Sequence, residues 1–258
     1  MRPQGRAADQ HALRRPHRHG DLVRLDGRRA LVVGGAGGIG AAIAACFADA
    51  GASVLVADRR PAAGPHPSVS VDVTDEDSVA DAVAEAVSHL GGVDVLVNSA
   101  GILDQAEVAG MSLDTWRRTL DVDLTGVFLT CRAVLPHMTG QGWGRIVNIA
   151  SQLGIKGSPS MAHYSAAKAG VVAFTKSLAL EVSGAGVLVN AIAPGPVVTE
   201  MTADLTPEWT AMKTAELPLG RFAVPAEIAP TALLLASDPG GNVYVGQTLH
   251  PNSGDVMP

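Results

Sequence analysis

Aromatic residues are scarce in this sequence: four Phe, three Trp and two Tyr among 258 residues. The core must therefore be built from Ala, Val, Leu and Ile, and a tyrosine used in chemistry has to be Tyr164 or Tyr244. Cysteine is scarcer still, with Cys46 and Cys131 alone. Two thiols exclude a disulfide framework, and their number and spacing exclude a zinc site; no metal is expected, and a reducing cytoplasm fits. Both lie among apolar neighbours in segments that read as helices, where they serve as small hydrophobes. No run approaches the ~18–20 uninterrupted apolar residues of a membrane span. No apolar stretch follows the N-terminus as it would in a secretory leader. Charged residues make up only 17 % and hydrophobic residues 47 %, which argues against general disorder. The length suits one larger α/β domain or two small ones.

Positive charge is also in short supply, with 19 Lys and Arg against 25 Asp and Glu and a formal net charge of −6. Nucleic acid is a poor partner for such a balance, because phosphate binding needs a basic face. The charge is uneven, however. Residues 1–20 hold five arginines and one acid, and no serine. A transit peptide, a nucleic-acid arm and a disordered appendage compete as readings of this segment. Nothing in it could bury itself, so residues 1–24 are expected to form a disordered basic tail with any nucleic-acid role left open, and residues 25–258 a single domain.

From Leu25 onward, Val- and Ile-rich runs alternate with Ala-rich ones. The runs 30–34, 53–58, 69–73, 93–98, 144–151 and 187–194 are short and apolar without strict alternation, as strands buried on both faces of a parallel sheet are. A seventh run follows at 246–251. Between them the pattern predicts helices over 39–50, 76–90, 113–138, 164–183 and 226–237. Asp75 reads as an N-cap, and Gly51 and Gly91 as helix-ending residues. Strand–helix alternation over the whole length means βαβ units and a doubly wound sheet, three layers α/β/α.

The first strand runs into VVGGAGGIG at 32–40 and then a helix. Gly35, Gly37 and Gly40 satisfy one dinucleotide fingerprint; Gly34, Gly38 and Gly40 satisfy another. Either way, glycines let the backbone approach a pyrophosphate, and the helix N-terminus supplies free N–H donors. The second strand ends at Asp58, 18 residues after Gly40. A carboxylate there can accept from both ribose hydroxyls and would repel a 2′-phosphate, which favours NAD(H). Arg59 and Arg60 follow at once and could reach a phosphate, so NADP(H) stays possible. Asp72 and Val73 end the third strand and Asn98 to Gly101 the fourth, where strand ends line the ligand crevice. Small residues such as Ala100 and Gly101 would let a flat ring lie against the backbone.

Tyr164 and Lys168 are four apart in a helical stretch, so both side chains share one face. A phenol ionises near pH ~10, and a neighbouring ammonium lowers that value toward the working range of a general acid/base. Ser151 ends the strand GRIVNIAS, where its hydroxyl can steady a developing alkoxide.

With these motifs in hand, residues 25–254 resemble the short-chain dehydrogenase/reductase family. The matches are VGGAGGIG, the strand-end Asp58, NSAG at 98–101, IVNIAS with YSAAK thirteen residues on, NAIAPGPVVTEM at 190–201 and PLGRFAVPAEIA at 218–229. The resemblance implies a seven-stranded Rossmann sheet and hydride transfer between a nicotinamide cofactor and a secondary alcohol or ketone. It implies that Ser151 orients the carbonyl, Tyr164 moves the proton, and Lys168 holds the nicotinamide ribose and depresses the tyrosine pKa. It also puts Gly34, Gly38, Ile39 and Gly40 under the cofactor, with Pro194, Gly195, Val197 and Thr199 beside the nicotinamide. A homotetramer paired through the helices at 113–138 and 164–183 is expected.

Three positions depart from the family pattern. Val33 stands where Thr is usual, and Ser253 where Gly is usual. Asp123 replaces an asparagine that helps hold a water in the proton relay to the lysine. We expect Asp123 to stay in the catalytic set through a direct or water-bridged ion pair with Lys168.

On the substrate side, the stretch between Ser151 and Tyr164 should form one wall, and residues 195–220 a mobile lid. Gln152, Leu153, Met161, Met201, Leu205 and Trp209 are the expected lining, with Met212 also a candidate. Lys156 and His163 are in reach, Lys156 reading as solvated surface rather than as an anchor for a carboxylate or phosphopantetheine. A small-molecule alcohol or ketone is the expected substrate. Reduction of a 3-oxoacyl thioester is the alternative activity. A catalytically weak NAD-binding scaffold or redox sensor is the alternative of another class.

Overall fold

The computed structural model describes residues 23–60, 64–203 and 205–258. Of the tail expected over 1–24, residues 1–22 lie outside the described residues, while Arg24 is described and donates to the Asp26 carboxylate at 2.7 and 2.6 Å. Seven parallel strands form one sheet in the order β3-β2-β1-β4-β5-β6-β7. They are β1 (Arg29–Val33), β2 (Ser53–Asp58), β3 (Ser68–Ser70), β4 (Val95–Asn98), β5 (Gly144–Ile149), β6 (Val187–Ile192) and β7 (Thr248–Leu249). The third and seventh are shorter than their apolar runs suggest. Among the described residues, no helix is long and apolar enough to cross a membrane.

Strand alternation sorts the core into two layers. Leu31 and Val33 of β1 join one apolar cluster, and Ala30 and Val32 the other. The first cluster lies under α2 (Glu76–Leu90), α4 (Gly126–Gln141) and α6 (Ala162–Val182); the second lies under α1 (Gly38–Asp49) and α8 (Pro225–Ala236). Both faces are thus covered, which is why the strands are apolar without alternation. The predicted helix ends hold. The Asp75 carboxylate accepts from the backbone N–H groups of Asp77 and Ser78, and Gly91 closes α2 in the left-handed conformation at φ 76°.

The helix expected over 113–138 is not continuous. It comprises α3 (Leu113–Leu120), one π-helical turn at Asp121–Thr125, and α4. The wide turn carries Asp123, whose Oδ1 accepts from Ile102 N–H at 2.8 Å. Just beyond it, Gly126 lies so close to Val73 that an added Cβ would sit 2.9 Å from the valine side chain. Two short helices were not expected: α5 (Leu153–Lys156), and α7 (Pro207–Glu216) in the region read as a lid. Thr206 caps α7 through Trp209 N–H, and Pro207 opens it.

The sheet order reverses between β1 and β4, so a crevice opens at the carboxyl ends of those strands. A buried polar seam fixes the neighbouring strand ends. Asn98 Nδ2 donates to Asn148 Oδ1 at 2.9 Å, Asn148 Nδ2 donates to Thr175 at 2.9 Å, and Thr130 donates to Asn98 Oδ1 at 2.7 Å.

Candidate active site

One cleft of about 1140 Å³ opens along the strand ends. That exceeds the ~300–1,000 Å³ usual for one small ligand, leaving room for a dinucleotide and a second molecule. Gly34, Gly38, Ile39, Asp58, Asp72, Val73, Ala100 and Gly101 line one end. Ser151, Tyr164, Lys168, Pro194, Gly195, Val197 and Thr199 line the middle, with Gln152, Leu153, Met161, Met201, Leu205 and Trp209 toward the lid. Gly35, Gly40, Asn98, Asp123 and His163 stay out of it. Gly40 is buried, and a Cβ there would fall 2.1 Å from the Gly34 carbonyl oxygen, so its part is to let α1 approach the turn. Asn98 is taken up by the polar seam. Asp123 is 0 % exposed and lies behind the cleft wall.

The residues at the glycine-rich end fit a dinucleotide. Gly34 adopts φ 77°, and a Cβ on it would sit 2.3 Å from Ala100 N, so β1 and β4 meet here only because the side chain is missing. No side chain caps α1, which leaves its first N–H groups for a phosphate. Asp58 is held by its own neighbours: Oδ2 accepts from Ala36 N–H and Oδ1 from Arg60 N–H, at 3.1 and 3.0 Å. Its remaining lone pairs are available to ribose hydroxyls. Arg60 is less free than the sequence suggests. Its guanidinium donates to Glu200 at 2.9 Å and lies 3.9 Å from Asp58.

At the reacting end, Ser151 lies two residues beyond β5 and its Oγ accepts from Leu153 N–H at 3.1 Å, leaving the hydroxyl proton to be donated. Tyr164 and Lys168 share the buried face of α6, with the ammonium 5.6 Å from the ring centroid. Lys168 Nζ spends one donor on the Ile149 carbonyl at 3.1 Å and has two left. The expected lowering of the Tyr164 pKa is not the net outcome. Burial pushes the phenol up; Lys168 pulls it down, Asp123 pushes it up again, and the Ser151 hydroxyl lowers it.

Of the direct or water-bridged ion pair expected between Asp123 and Lys168, the direct form is not made. Asp123 Oδ1 is held by Ile102, and its Oδ2 is buried without a hydrogen-bond partner. A Cβ on Gly101 would lie 2.9 Å from Asp123 Oδ1 and 3.5 Å from Lys168 Nζ, so the two groups are no more than about 6.4 Å apart. Burial pushes the Asp123 carboxyl up, against Lys168, Ile102 N–H and His163, which pull it down; Asp104 adds to the rise. His163 is itself fully buried, and neither ring nitrogen has a partner.

Sequence reasoning missed a cluster at α7. Asp255, from the C-terminal segment, accepts from Lys156 at 2.8 Å, from Lys213 of α7 at 2.8 Å, and from Gln152 Nε2. Lys156, read as solvated, is therefore a paired residue. The helix-start signal at Thr206-Pro207 could have revealed α7; nothing local reveals its partner.

Comparison with known proteins agrees with this geometry. A family profile described as enoyl-(acyl carrier protein) reductase matches residues 34–254. The 3-oxoacyl-(acyl-carrier-protein) reductase FabG of Aquifex aeolicus is 39 % identical over 245 residues, 90 % of this chain and 98 % of that protein. The cis-4-hydroxycyclohexanecarboxylate dehydrogenase of Sinomonas cyclohexanicum is 41 % identical over 239 residues, 88 % of this chain and 96 % of that one. The crystal structure of a putative NAD(P)-dependent gluconate 5-dehydrogenase from Beutenbergia cavernae, with bound NADP, superposes with a TM-score of 0.85. It is 40 % identical and covers 91 % of this chain and 98 % of its own. Sheet order, glycine-rich turn and sequence likeness thus converge: the chain belongs to the short-chain dehydrogenase/reductase family, NAD(P)-dependent oxidoreductases of CH–OH and C=O groups.

Proposed function

We propose that the protein interconverts a secondary alcohol and a ketone, with NAD(H) preferred. The convergence of Ser151, Tyr164 and Lys168 on the cleft that begins at Asp58 carries this reading. The bound nicotinamide would supply or take up the hydride. Ser151 donates its hydroxyl proton to the substrate oxygen and steadies charge there. Tyr164 gives a proton to that oxygen in reduction and removes it in oxidation. Lys168, anchored on Ile149, turns its two remaining donors to the nicotinamide ribose and favours the phenolate.

The NAD(H) preference rests on the Asp58 carboxylate and on the engagement of Arg60 by Glu200, which leaves that arginine compensated before any phosphate arrives. Leu153, Met161, Leu205, Trp209 and Met212 make the substrate end moderately apolar. The FabG relatives, 36 to 39 % identical, favour 3-oxoacyl thioester reduction as the second reading. A scaffold without turnover would have no use for the three converging groups.

We further propose a homotetramer paired through α4 and α6, where Phe128 and Leu180 remain exposed. A reducing cytoplasm suits the free thiols: Cys131 is buried and pushed up to about 12, which keeps it protonated.

The test is oxidation of a secondary-alcohol panel with NAD⁺ and with NADP⁺, using Tyr164→Phe as the control. The Phe variant should lose on the order of a hundredfold or more in kcat. Turnover equal to wild type would remove Tyr164 from the reaction.

A further inference from the structure

The lid helix α7 is held in an unusual way. Lys213 is its one buried side chain, at 8 % exposure, while Met212 is 55 % exposed. A short helix over a cleft normally docks by an apolar face; here the docked group is an ammonium. Its Nζ reaches Asp255 at 2.8 Å and Glu216 at 2.9 Å. The Asp255 side chain is itself 6 % exposed and uses both oxygens. Lys156 and Lys213 share Oδ1, while Gln152 and Lys213 share Oδ2. A carboxylate can only accept, so Gln152 must turn its Nε2 toward it. The amide is thereby fixed one residue after Ser151.

We propose that Asp255 is a positioning residue: its carboxylate latches the α7 lid to the opposite cleft wall and sets Gln152 beside Ser151. It touches no reacting atom. The latch joins the lid through Lys213 and the wall through Lys156 and Gln152, so one carboxylate serves both segments by separate arms. Charge-assisted bonds among mostly buried groups hold firmly yet can be broken singly, which suits a lid that must open. The kinetic consequence rests on the oxidoreductase reading; the structural one does not.

Two measurements on the full chain test the latch. The first is amide hydrogen exchange. Asp255→Asn should speed exchange in both 207–216 and 152–158 and leave the strands unchanged. Lys213→Met should loosen 207–216 alone, and Lys156→Met 152–158 alone. Exchange that rises across the whole domain in Asp255→Asn, or changes in neither segment, overturns the proposal. The second is steady-state kinetics on any alcohol the wild type oxidises. Asp255→Asn should raise KM roughly tenfold, as losing one charge-assisted bond would, with a smaller change in kcat. A lower melting temperature with both constants unchanged would make Asp255 merely structural and overturn the proposal. If no alcohol is turned over, the oxidoreductase reading fails and the exchange measurement still decides the latch.

Discussion

Asp123→Asn tests the least ordinary group in the site. Asp123 is fully buried, with one oxygen on Ile102 N–H and the other without a partner from the protein. The side chains that act on it are Lys168 and His163, which favour its ionisation, and Asp104, which opposes it. Burial outweighs them, and the carboxyl titrates above its ordinary value. A raised folded-state pKa means that the folded protein binds this proton more tightly than the unfolded chain does. The stability Asp123 contributes is therefore complete below its unfolded value near ~4 and is lost as pH rises through the folded one. Asparagine keeps the shape and the acceptor for Ile102 but cannot ionise. The variant should accordingly gain on wild type as pH rises, then level off. Leaving a buried polar group unsatisfied costs ~1–3 kcal/mol, and a chain of this size moves ~2–4 °C per kcal/mol. The expected gain in Tm is a few degrees to about ten at mildly alkaline pH, shrinking toward zero in acid. Paired thermal melts across that range, read by circular dichroism, provide the assay. A difference that does not change with pH refutes the argument. A wild type that becomes relatively more stable as pH rises would mean that Asp123 is ionised and compensated by Lys168. Removing the carboxyl should also move the acid limb of the oxidation profile to lower pH, because Asp123 opposes ionisation of Tyr164.

Three further outcomes follow from contacts in the cleft and below it. Glu200→Gln releases Arg60 toward a 2′-phosphate and should raise kcat/KM for NADP(H) over NAD(H) by up to about fivefold, measured as the ratio of the two cofactors. No change in that ratio would remove Arg60 from cofactor choice. Gly34→Ala adds a Cβ 2.3 Å from a backbone nitrogen at a φ of 77°, and should cost on the order of 2–6 kcal/mol, read in urea unfolding. A variant within about 0.5 kcal/mol of wild type, the range of an ordinary surface change, would show that β1 and β4 are not in such close contact. Asp94 gives the opposite pH slope to Asp123. Burial would raise it, but the bonds from Arg29 prevail and hold it below the ordinary carboxylate range. Asp94→Asn should therefore lose ~1.5–3 kcal/mol at neutral pH and progressively less as pH falls through the carboxylate range.

How much of this was legible in the sequence depends on how far apart the interacting residues lie. The strands of the buried sheet announce themselves because each apolar run is complete within a few residues. The glycine-rich turn, Asp58, and the Tyr164–Lys168 pair are legible for the same reason, since each needs only a local spacing. Asn98 shows where local reading stops. At a strand end it looked like a cleft residue, but Asn148 is its register partner on β5, and the two amides bond to each other below the cleft. Recognising this required the pairing of two strands fifty residues apart. The π-helical turn at Asp121–Thr125 escaped because its apolar period differs from an α-helix by one residue over one turn.

The lid is the extreme case. The helix-start signal at Thr206-Pro207 was present, but the helical period was weak for a physical reason: the buried face of α7 is carried by Lys213 rather than by an apolar stripe. Its partner, Asp255, is 42 residues away, and Asp255 reaches Lys156 across 99. Charge has no period, so a pair of that kind leaves no trace until the chain is folded. The result is a division of labour along the cleft. Where the dinucleotide and the reacting groups are held, backbone geometry and short spacings fix the arrangement and the sequence declares it. Where the substrate must enter and leave, the walls are joined by a few charges from distant segments. On the latch proposed here, that part of the site would move without disturbing the sheet, and the named relatives about 40 % identical differ in the substrates their names give.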